Sequence, residues 1–343
     1  MSLTVALALF GAAVLAAMAV HLWWQARRAQ PRRVLEPKPA EPVVEPSFDA
    51  PARADAADEP APELRQPRRL PPKLDALIDA IATLGIEVQV SGEMALSHLP
   101  PSHRAGSKPF FIEGWNVVTK EWEPPAAGQR YSEFQAGVQL ANRGGALNEI
   151  EYSEFVQKVE TFAEAIGAMA DFPDMLEVVA RARELDAFAS EHDAQLAVHL
   201  RSRSVAWSVG FIQQHAARHG FVAGMGAGRL VLPGNEDGAP PVLTLSFDTQ
   251  AALAEDPNQS ALRDITLSFD VPQTDPAGEP FVAWQASAQA LALGMDAAVV
   301  DDNGNPLSAE GFAIIGSELT SLYEALESRG LPAGSAAARR LFS

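Results

Sequence analysis

The chain has 343 residues and a formal net charge of -18, and its length allows two ordinary domains with additional segments. This acidity argues against nucleic acid or anionic lipid as the main partner, because binding to phosphate groups needs clustered Lys and Arg. The chain has no cysteine, which excludes disulfides, thiolate metal sites and cysteine nucleophiles.

An uncharged apolar run extends from Leu3 to Trp24. A helix of this length crosses a hydrocarbon core of ~30 Å at ~1.5 Å per residue. A cleaved signal peptide is the alternative, but the first four residues lack the positive charge of such peptides. Four arginines follow the run, at positions 27, 28, 32 and 33. The positive-inside rule therefore predicts a transmembrane anchor over residues 1–26, with the N-terminus outside and the rest of the chain in the cytoplasm.

Residues 27–72 are rich in Pro, Ala, Glu, Asp and Arg, and Phe48 is the single aromatic residue among them. Such a segment cannot bury enough apolar area to offset its ordering entropy, so we predict a disordered linker that its prolines extend. A passive spacer is the simplest interpretation. A partner motif around Val43 and Val44 is the alternative.

Residues 73–192 show mixed α/β patterning. The run from Leu74 to Ala82 fits either a helix or a buried strand. Alternating apolar residues predict strands over Ile86 to Val90, Phe110 to Trp115 and Tyr131 to Ala141. A helix follows, in which Asn148 and Glu151 have the spacing of a capping box. A second helix is predicted from Asp174 to about Ser190.

Residues 193–330 have the clearest pattern. Strands are predicted at Gln195–Arg201, Arg229–Leu232, Val242–Phe247 and Ile265–Val271, and Ala297–Pro306 is predicted to be a short strand that runs into an Asn-Gly turn. Helices are predicted at Ser204–His219, Phe281–Leu293 and Ser308–Arg329. The connections of hairpin length predict an α+β fold with a largely antiparallel sheet that helices pack on one face. Residues 331–343 are predicted to be a flexible tail.

The two segments share an order of elements. Tyr131 to Gly167 followed by Phe172 to Ala189 matches Ile265 to Gly294 followed by Ser308 to Arg329 in type and order. This pattern suggests a degenerate duplication of one α/β unit, although the sequence identity between the halves is slight.

Patterns that indicate chemistry are weak throughout the chain. The glycines at 224, 226 and 228 follow a helix and precede a strand, which is the reverse of the order in a phosphate-binding loop. His215 and His219 lack a third ligand and the glutamate of a zinc motif. Asp301 to Asn305 lacks the ligand order of a calcium loop, so a turn is expected. The sequence therefore predicts no enzyme, no metal and no cofactor.

The order of anchor, linker and terminal domain resembles the ZipA family of bacterial cell-division proteins. The closer resemblance covers about Asp193 to Arg329. It is carried by the strand Ile265 to Pro272, the apolar helix after it, the turn strand Ala298 to Asp302, and the pair Leu307-Ser308 that opens the last helix. The order and spacing of these motifs over this region are more specific than any one of them.

The resemblance implies a single-pass protein of the bacterial inner membrane, with a periplasmic N-terminus, that tethers and stabilises filaments of the tubulin-like protein FtsZ. In that family one open sheet face binds the C-terminal tail of FtsZ in a shallow apolar groove. If the alternating apolar residues of the strands face the helices, the open face carries Ala197, His199, Val231, Thr244, Ser246, Thr266 and Ser268. We expect these seven residues to bind the FtsZ tail.

This sequence departs from the family at that face. Family grooves carry larger apolar side chains at several of these positions, and each Å² of apolar burial that is lost weakens binding by about 25 cal/mol. Either the tail binds here through hydrogen bonds and a strand edge, or the binding surface has moved. The segment Leu74 to Ala189 is additional to the simplest family layout, and its Trp115 and Trp122 could cover the face or form a second one. The alternative function is a scaffold or regulatory protein that binds another envelope or cell-wall synthesis partner.

Overall fold

The structure is a computed structural model that describes residues 74–234, 240–253, 256 and 260–343. The predicted anchor over residues 1–26 and the predicted linker over 27–72 lie outside these residues. Among the helices of the described ranges, none is long and apolar enough to cross a membrane. The described residues belong to one compact unit, Leu64–Ser343, which contains two main antiparallel sheets, each with its own hydrophobic core.

The first sheet has the strand order β2-β3-β5-β1-β8, with β4 paired to β3. All of these pairings are antiparallel. Its strands are β1 (Asp79–Ser91), β2 (Arg104–Ala105), β3 (Lys108–Asn116), β4 (Trp122–Glu123), β5 (Arg130–Gln139) and β8 (Ala168–Asp171). A separate hairpin is formed by β6 (Ala141–Asn142) and β7 (Gly145–Ala146).

The first half denotes residues 74–192 and the second half residues 193–330. Three helices belong to the first half, namely α1 (Gly92–His98), α2 (Glu149–Ile166) and α3 (Met175–His192). The predicted capping box is present. The Asn148 side chain accepts hydrogen bonds from the backbone N–H groups of Ile150 and Glu151, and the Glu151 side chain accepts one from the backbone N–H of Asn148. Gly167 ends α2 in the left-handed region, with φ 71°, a conformation that suits glycine. Phe155, Val159 and Phe162 of α2 are fully buried against the sheet.

The second sheet has the strand order β10-β11-β12-β13-β9-β14 and is entirely antiparallel. Its strands are β9 (Gln195–Ser202), β10 (Val222–Ala223), β11 (Arg229–Leu232), β12 (Leu243–Ser246), β13 (Asp264–Asp270) and β14 (Ala297–Val300). Its helices are α4 (Val209–Arg218), α5 (Thr249–Ala252), α6 (Pro280–Met295) and α7 (Ala309–Ser328). The predicted α+β class and the antiparallel pairing are thereby confirmed.

The same connectivity occurs in both halves. In each, the first strand pairs with the strand that precedes the main helix and with the strand that follows it, as β1 does with β5 and β8 and as β9 does with β13 and β14. On its other side, β5 or β13 pairs with an earlier strand, which is β3 in the first half and β12 in the second. A final helix, α3 or α7, then follows. This correspondence is what a duplication of one unit would produce.

The run that fitted either helix or strand is resolved by pairing. Asp79 to Ala82 belong to β1, where Ala80 and Ala82 are fully buried between β5 and the core. The helical interpretation is therefore wrong, because its spacing of Leu74, Leu77 and Ile78 ends in a turn before β1 begins.

The predicted flexible tail over residues 331–343 is wrong. It contains the helix α8 (Ala336–Leu341), capped by Ser335, and Leu331, Leu341 and Phe342 are buried in the core of the first half. The tail also contacts the second half, where the Gln273 side chain donates a hydrogen bond to the carbonyl oxygen of Phe342 at 2.5 Å. A short run of small residues followed by two arginines gave no sign that tertiary contacts would order it.

The tail also supplies a buried ion pair. The guanidinium of Arg340 donates to both carboxylate oxygens of Asp79, at 2.8 and 2.5 Å, and the Asp79 side chain is fully buried. Burial raises the pKa of Asp79, and the hydrogen bonds and charge of Arg340 lower it by less. The tail therefore neutralises a charge in the first half.

Candidate partner-binding face

The strands of the second sheet alternate between a helix-packed face and a free face. Toward the helices they bury Val198, Leu200, Leu243, Leu245, Ile265, Leu267 and Phe269. Trp284 of α6 lies among them and donates its indole N–H to the Leu267 carbonyl at 3.0 Å. The apolar residues of the period-two pattern therefore face the helices, and the residues between them form the other face of the sheet.

The structure brings the seven predicted residues together on that free face. Two cross-strand rows contain them, Val231-Thr244-Ser268-Ala197 and Ser246-Thr266-His199. Residues directly opposite one another in antiparallel strands project to the same side, with Cβ atoms about 4.5–5.5 Å apart. Six of the seven are half-buried, and Ser268 is 6% exposed. We call this surface the polar face.

An ionic cluster closes the polar face at one end. Nδ1 of His199 lies 2.8 Å from Oδ1 of Asp264, and its Nε2 lies 3.2 Å from Oδ1 of Asp302. Arg201 donates from Nε to the second Asp264 oxygen at 3.2 Å. An imidazole can donate to both carboxylates only when both of its nitrogens are protonated. The cluster fixes the ring of His199 at the border of the face.

A second ionic cluster lies at the other end of β13. Arg143, in the turn between β6 and β7, contacts Asp193 at 2.5 Å and Asp270 at 2.6 Å. Burial raises the pKa of Asp270, and the bond to Arg143 opposes this rise. The uncharged floor between the two clusters covers about 20 Å at ~3.3 Å per residue, which matches a peptide segment of about six extended residues.

Other members of this region were missed in the sequence. Arg229 lies opposite Ser246, and Val222 of β10 lies opposite Val231. Arg201, Arg229 and Asp264 follow from extending the same period-two alternation to the strand ends. Val222 and Asp302 gave no such signal, because a two-residue strand and a turn carry no periodicity.

The polar face has neither a metal-binding cluster nor a deep cleft among the described residues. Across the described ranges, no group of three or more His, Cys, Asp or Glu side chains is placed to hold a metal ion. A cleft of about 490 Å³ lies elsewhere, beside the N-terminus of α4, and is lined by Trp207, Phe211 and Leu293. None of the seven residues of the polar face lines this cleft.

No protein-family model matches the chain, and no curated protein matches its sequence significantly.

Proposed function

We propose that this protein is a membrane-anchored cell-division protein that tethers and stabilises FtsZ filaments at the bacterial inner membrane by binding the FtsZ C-terminal tail on the polar face. The observation that supports this proposal is the common placement of the seven residues. They form one shallow free surface, while the opposite surface of the same sheet is packed by helices. A sheet that is covered on one side and free on the other offers a platform for a peptide.

The side chains of the face set the mode of binding. Alanine, serine and threonine project little, so they leave room for a peptide backbone but bury little apolar area. Hydroxyl groups of Thr244, Ser246 and Thr266 can donate to and accept from a peptide. We therefore expect weak binding, with a dissociation constant on the order of 100 µM, or about 5.5 kcal/mol.

A peptide titration tests the proposal. A fluorescent peptide of the FtsZ tail from the same organism is titrated with the full-length chain, and its anisotropy is followed. Saturable binding is expected for the wild type. Ser246→Glu and Thr266→Glu, which are directly opposite on neighbouring strands, should abolish it, because each places a larger, charged side chain where the tail would lie.

The matched control uses the same residue types on the helix side. Ser317 and Thr320 of α7 are both exposed, so Ser317→Glu and Thr320→Glu add the same charge away from the polar face. They should leave binding unchanged. Absence of saturation with the wild type at high micromolar concentration would exclude tail binding and would favour the alternative of a scaffold for another envelope partner.

A further inference from the structure

The free face of the first sheet carries aromatic and acidic side chains. Trp115 and Trp122 are directly opposite on β3 and β4, and their rings form an edge-to-face pair with centroids 5.4 Å apart. Gly85 lies opposite both Glu133 and Met169. We call these five residues the tryptophan face.

This face is open and carries one exposed carboxylate. A Cβ built on Gly85 would meet nothing within 4 Å, so the floor between the strands is free. Met169 is 83% exposed, both tryptophans are half-buried and Glu133 is exposed. Exposed apolar side chains with a nearby carboxylate fit an apolar ligand that also carries positive charge.

The chain itself enters the fold over this side of the sheet. Leu74 lies on Gly137, where a Cβ would be 2.5 Å from the leucine Cδ2. The Leu74 amide donates to Oε1 of Glu113 at 3.1 Å. Glu113 precedes Trp115 by two residues on β3, so both project to the same face. Leu74, the first described residue, is therefore held on the same face of the sheet as the two tryptophans.

The segment that precedes Leu74 has the complementary chemistry. It reads Arg68-Arg69-Leu70-Pro71-Pro72-Lys73, with three cations and no acid, and it lies outside the described residues. Paired prolines favour the polyproline II conformation, which advances ~3.1 Å per residue. Glu113 and Trp115 are about 7 Å apart along the strand, so two or three such residues cover this distance. Proline-rich segments bind aromatic grooves in this conformation.

We propose that Arg68 to Lys73 binds the tryptophan face of the same chain, with the prolines on Trp115 and Trp122 and an arginine beside Glu133. The folded unit then begins near Arg68, and the segment covers an apolar surface that a basic, proline-rich partner would otherwise find exposed. The contact involves the first sheet alone, so it is independent of the proposed binding of FtsZ.

Limited proteolysis of the full-length chain tests this contact, because the sequence contains an internal reference. Pro67-Arg68-Arg69-Leu70 and Pro31-Arg32-Arg33-Val34 present trypsin with nearly the same bond. Mass spectrometry follows cleavage after Arg69 and after Arg33 in one sample. Cleavage after Arg69 should be about tenfold slower, since a protease reaches a bound segment only while it is released.

Two variants and a control make the result specific. Trp122→Ala and Glu133→Lys should each accelerate cleavage after Arg69 and leave cleavage after Arg33 unchanged. Glu177→Lys makes the same charge change at an exposed position of α3 and should alter neither rate. Equal rates at both bonds of the wild type, or protection of Arg69 that survives both variants, would overturn the proposal. Protection that grows with protein concentration would also overturn it, because the contact would then join two copies.

Discussion

In the first half, the sheet face that points away from the helices carries Phe111 and two tryptophans, and parts of the chain already cover one end of it. Leu74 lies over Gly137, and the guanidinium of Arg340 lies 5.2 Å from the centre of the Phe111 ring. In the second half, the corresponding face carries alanine, serine, threonine, one valine and one histidine. Its border is formed by ion pairs at both ends of β13.

This difference shows that connectivity and surface chemistry are independent in this molecule. The same order of strands and helices buries the same side of each sheet, because the alternation of apolar residues is the same. The other side is not constrained by the core, so its residues differ between the halves. The two proposals therefore concern separate partners, namely the FtsZ tail for the polar face and the chain's own basic segment for the tryptophan face.

The halves are also joined, which raises the question of whether they unfold together. Leu326 of α7 and the tail from Leu331 onward are buried in the core of the first half, although α7 starts in the core of the second. Arg143 of the first half binds Asp193 and Asp270 at the other side of the junction. These contacts predict one cooperative unit.

The largest expected effect comes from the second core. Trp284 is 1% exposed, and its indole packs on Phe269, Phe281 and Phe312. Trp284→Ala should lower the free energy of unfolding by about 4 kcal/mol, through lost burial and the cavity that remains. Phe155→Ala in α2 is the matched change in the first core. Urea denaturation is followed together with hydrogen exchange of peptides from each half. A first half that keeps its wild-type midpoint in Trp284→Ala would show that the halves unfold separately.

The tail gives the next largest effect. Arg340→Met leaves the fully buried carboxylate of Asp79 without its ion pair, which should lower the free energy of unfolding by about 3 kcal/mol at pH 7. Asp79→Asn in the same chain should recover part of the loss, because no buried charge remains. Arg203→Met changes an exposed arginine and serves as the control.

The same variant has a defined pH dependence. Burial holds the pKa of Asp79 above its ordinary value in the folded state, and loss of Arg340 raises this pKa further. The folded variant then binds the proton of the Asp79 carboxyl more tightly than the unfolded chain does. Its free energy of unfolding is therefore highest at low pH and falls as pH rises through the folded-state pKa of Asp79. The urea midpoint of Arg340→Met should therefore lie further below that of the wild type at pH 7 than at pH 4. An equal loss at both values would mean that Asp79 is not the cause.

The elements that the sequence predicted well are those with a local signal. β11 was predicted to the residue, the strand β14 was predicted without a defined end before its turn, and Asn148 and Ser308 were predicted as the caps of α2 and α7. In these cases alternation or a capping residue is local. By contrast β8, Ala168–Asp171, follows Gly167 directly and reads Ala-Met-Ala-Asp, without the β-branched or aromatic residues that favour a strand over a loop. Its pairing with β1 is a tertiary contact that no local pattern encodes.

The candidate site follows the same rule. The seven residues of the polar face were predicted because they alternate with core residues, and parity alone placed them on one surface. The partners of His199 could not be predicted, since Asp302 arrives from a turn 103 residues away. The tail was missed because its order depends on a buried carboxylate, Asp79, that comes 261 residues earlier in the chain.

The helix starts differ between the halves and predict a smaller effect. α2 has the complete capping box, whereas α6 begins after Glu279 without a side-chain cap. Asn148→Ala should lower the free energy of unfolding by about 1 kcal/mol, measured by urea denaturation.

Burial raises the pKa of Glu151, but hydrogen bonds from Ser107 and Asn148 outweigh this effect and lower the pKa. The stabilisation by Glu151 is thus present at neutral pH and is lost as pH falls through its folded-state pKa. A cap effect that is as large at pH 3 as at pH 7 would contradict this role.

The helix ends give the smallest effect, and one with the opposite sign. Gly167 ends α2 and Asp296 ends α6, both in the left-handed region, with φ 71° and 53°. An aspartate in this conformation is strained relative to glycine, so Asp296→Gly should raise the free energy of unfolding by about 0.5 kcal/mol. The gain is reduced by loss of the bond that Ser204 Oγ donates to Asp296 at 2.7 Å. Ser204→Ala removes that bond alone, so its effect on the free energy of unfolding can be subtracted.

Gly167→Ala is the reverse change at a position where a Cβ meets nothing within 4 Å, so any loss of stability there comes from backbone strain. Asp296→Gly could still lower the free energy of unfolding after the effect of Ser204→Ala is subtracted. In that case the backbone strain at the end of α6 is smaller than the conformational entropy that glycine adds to the unfolded chain.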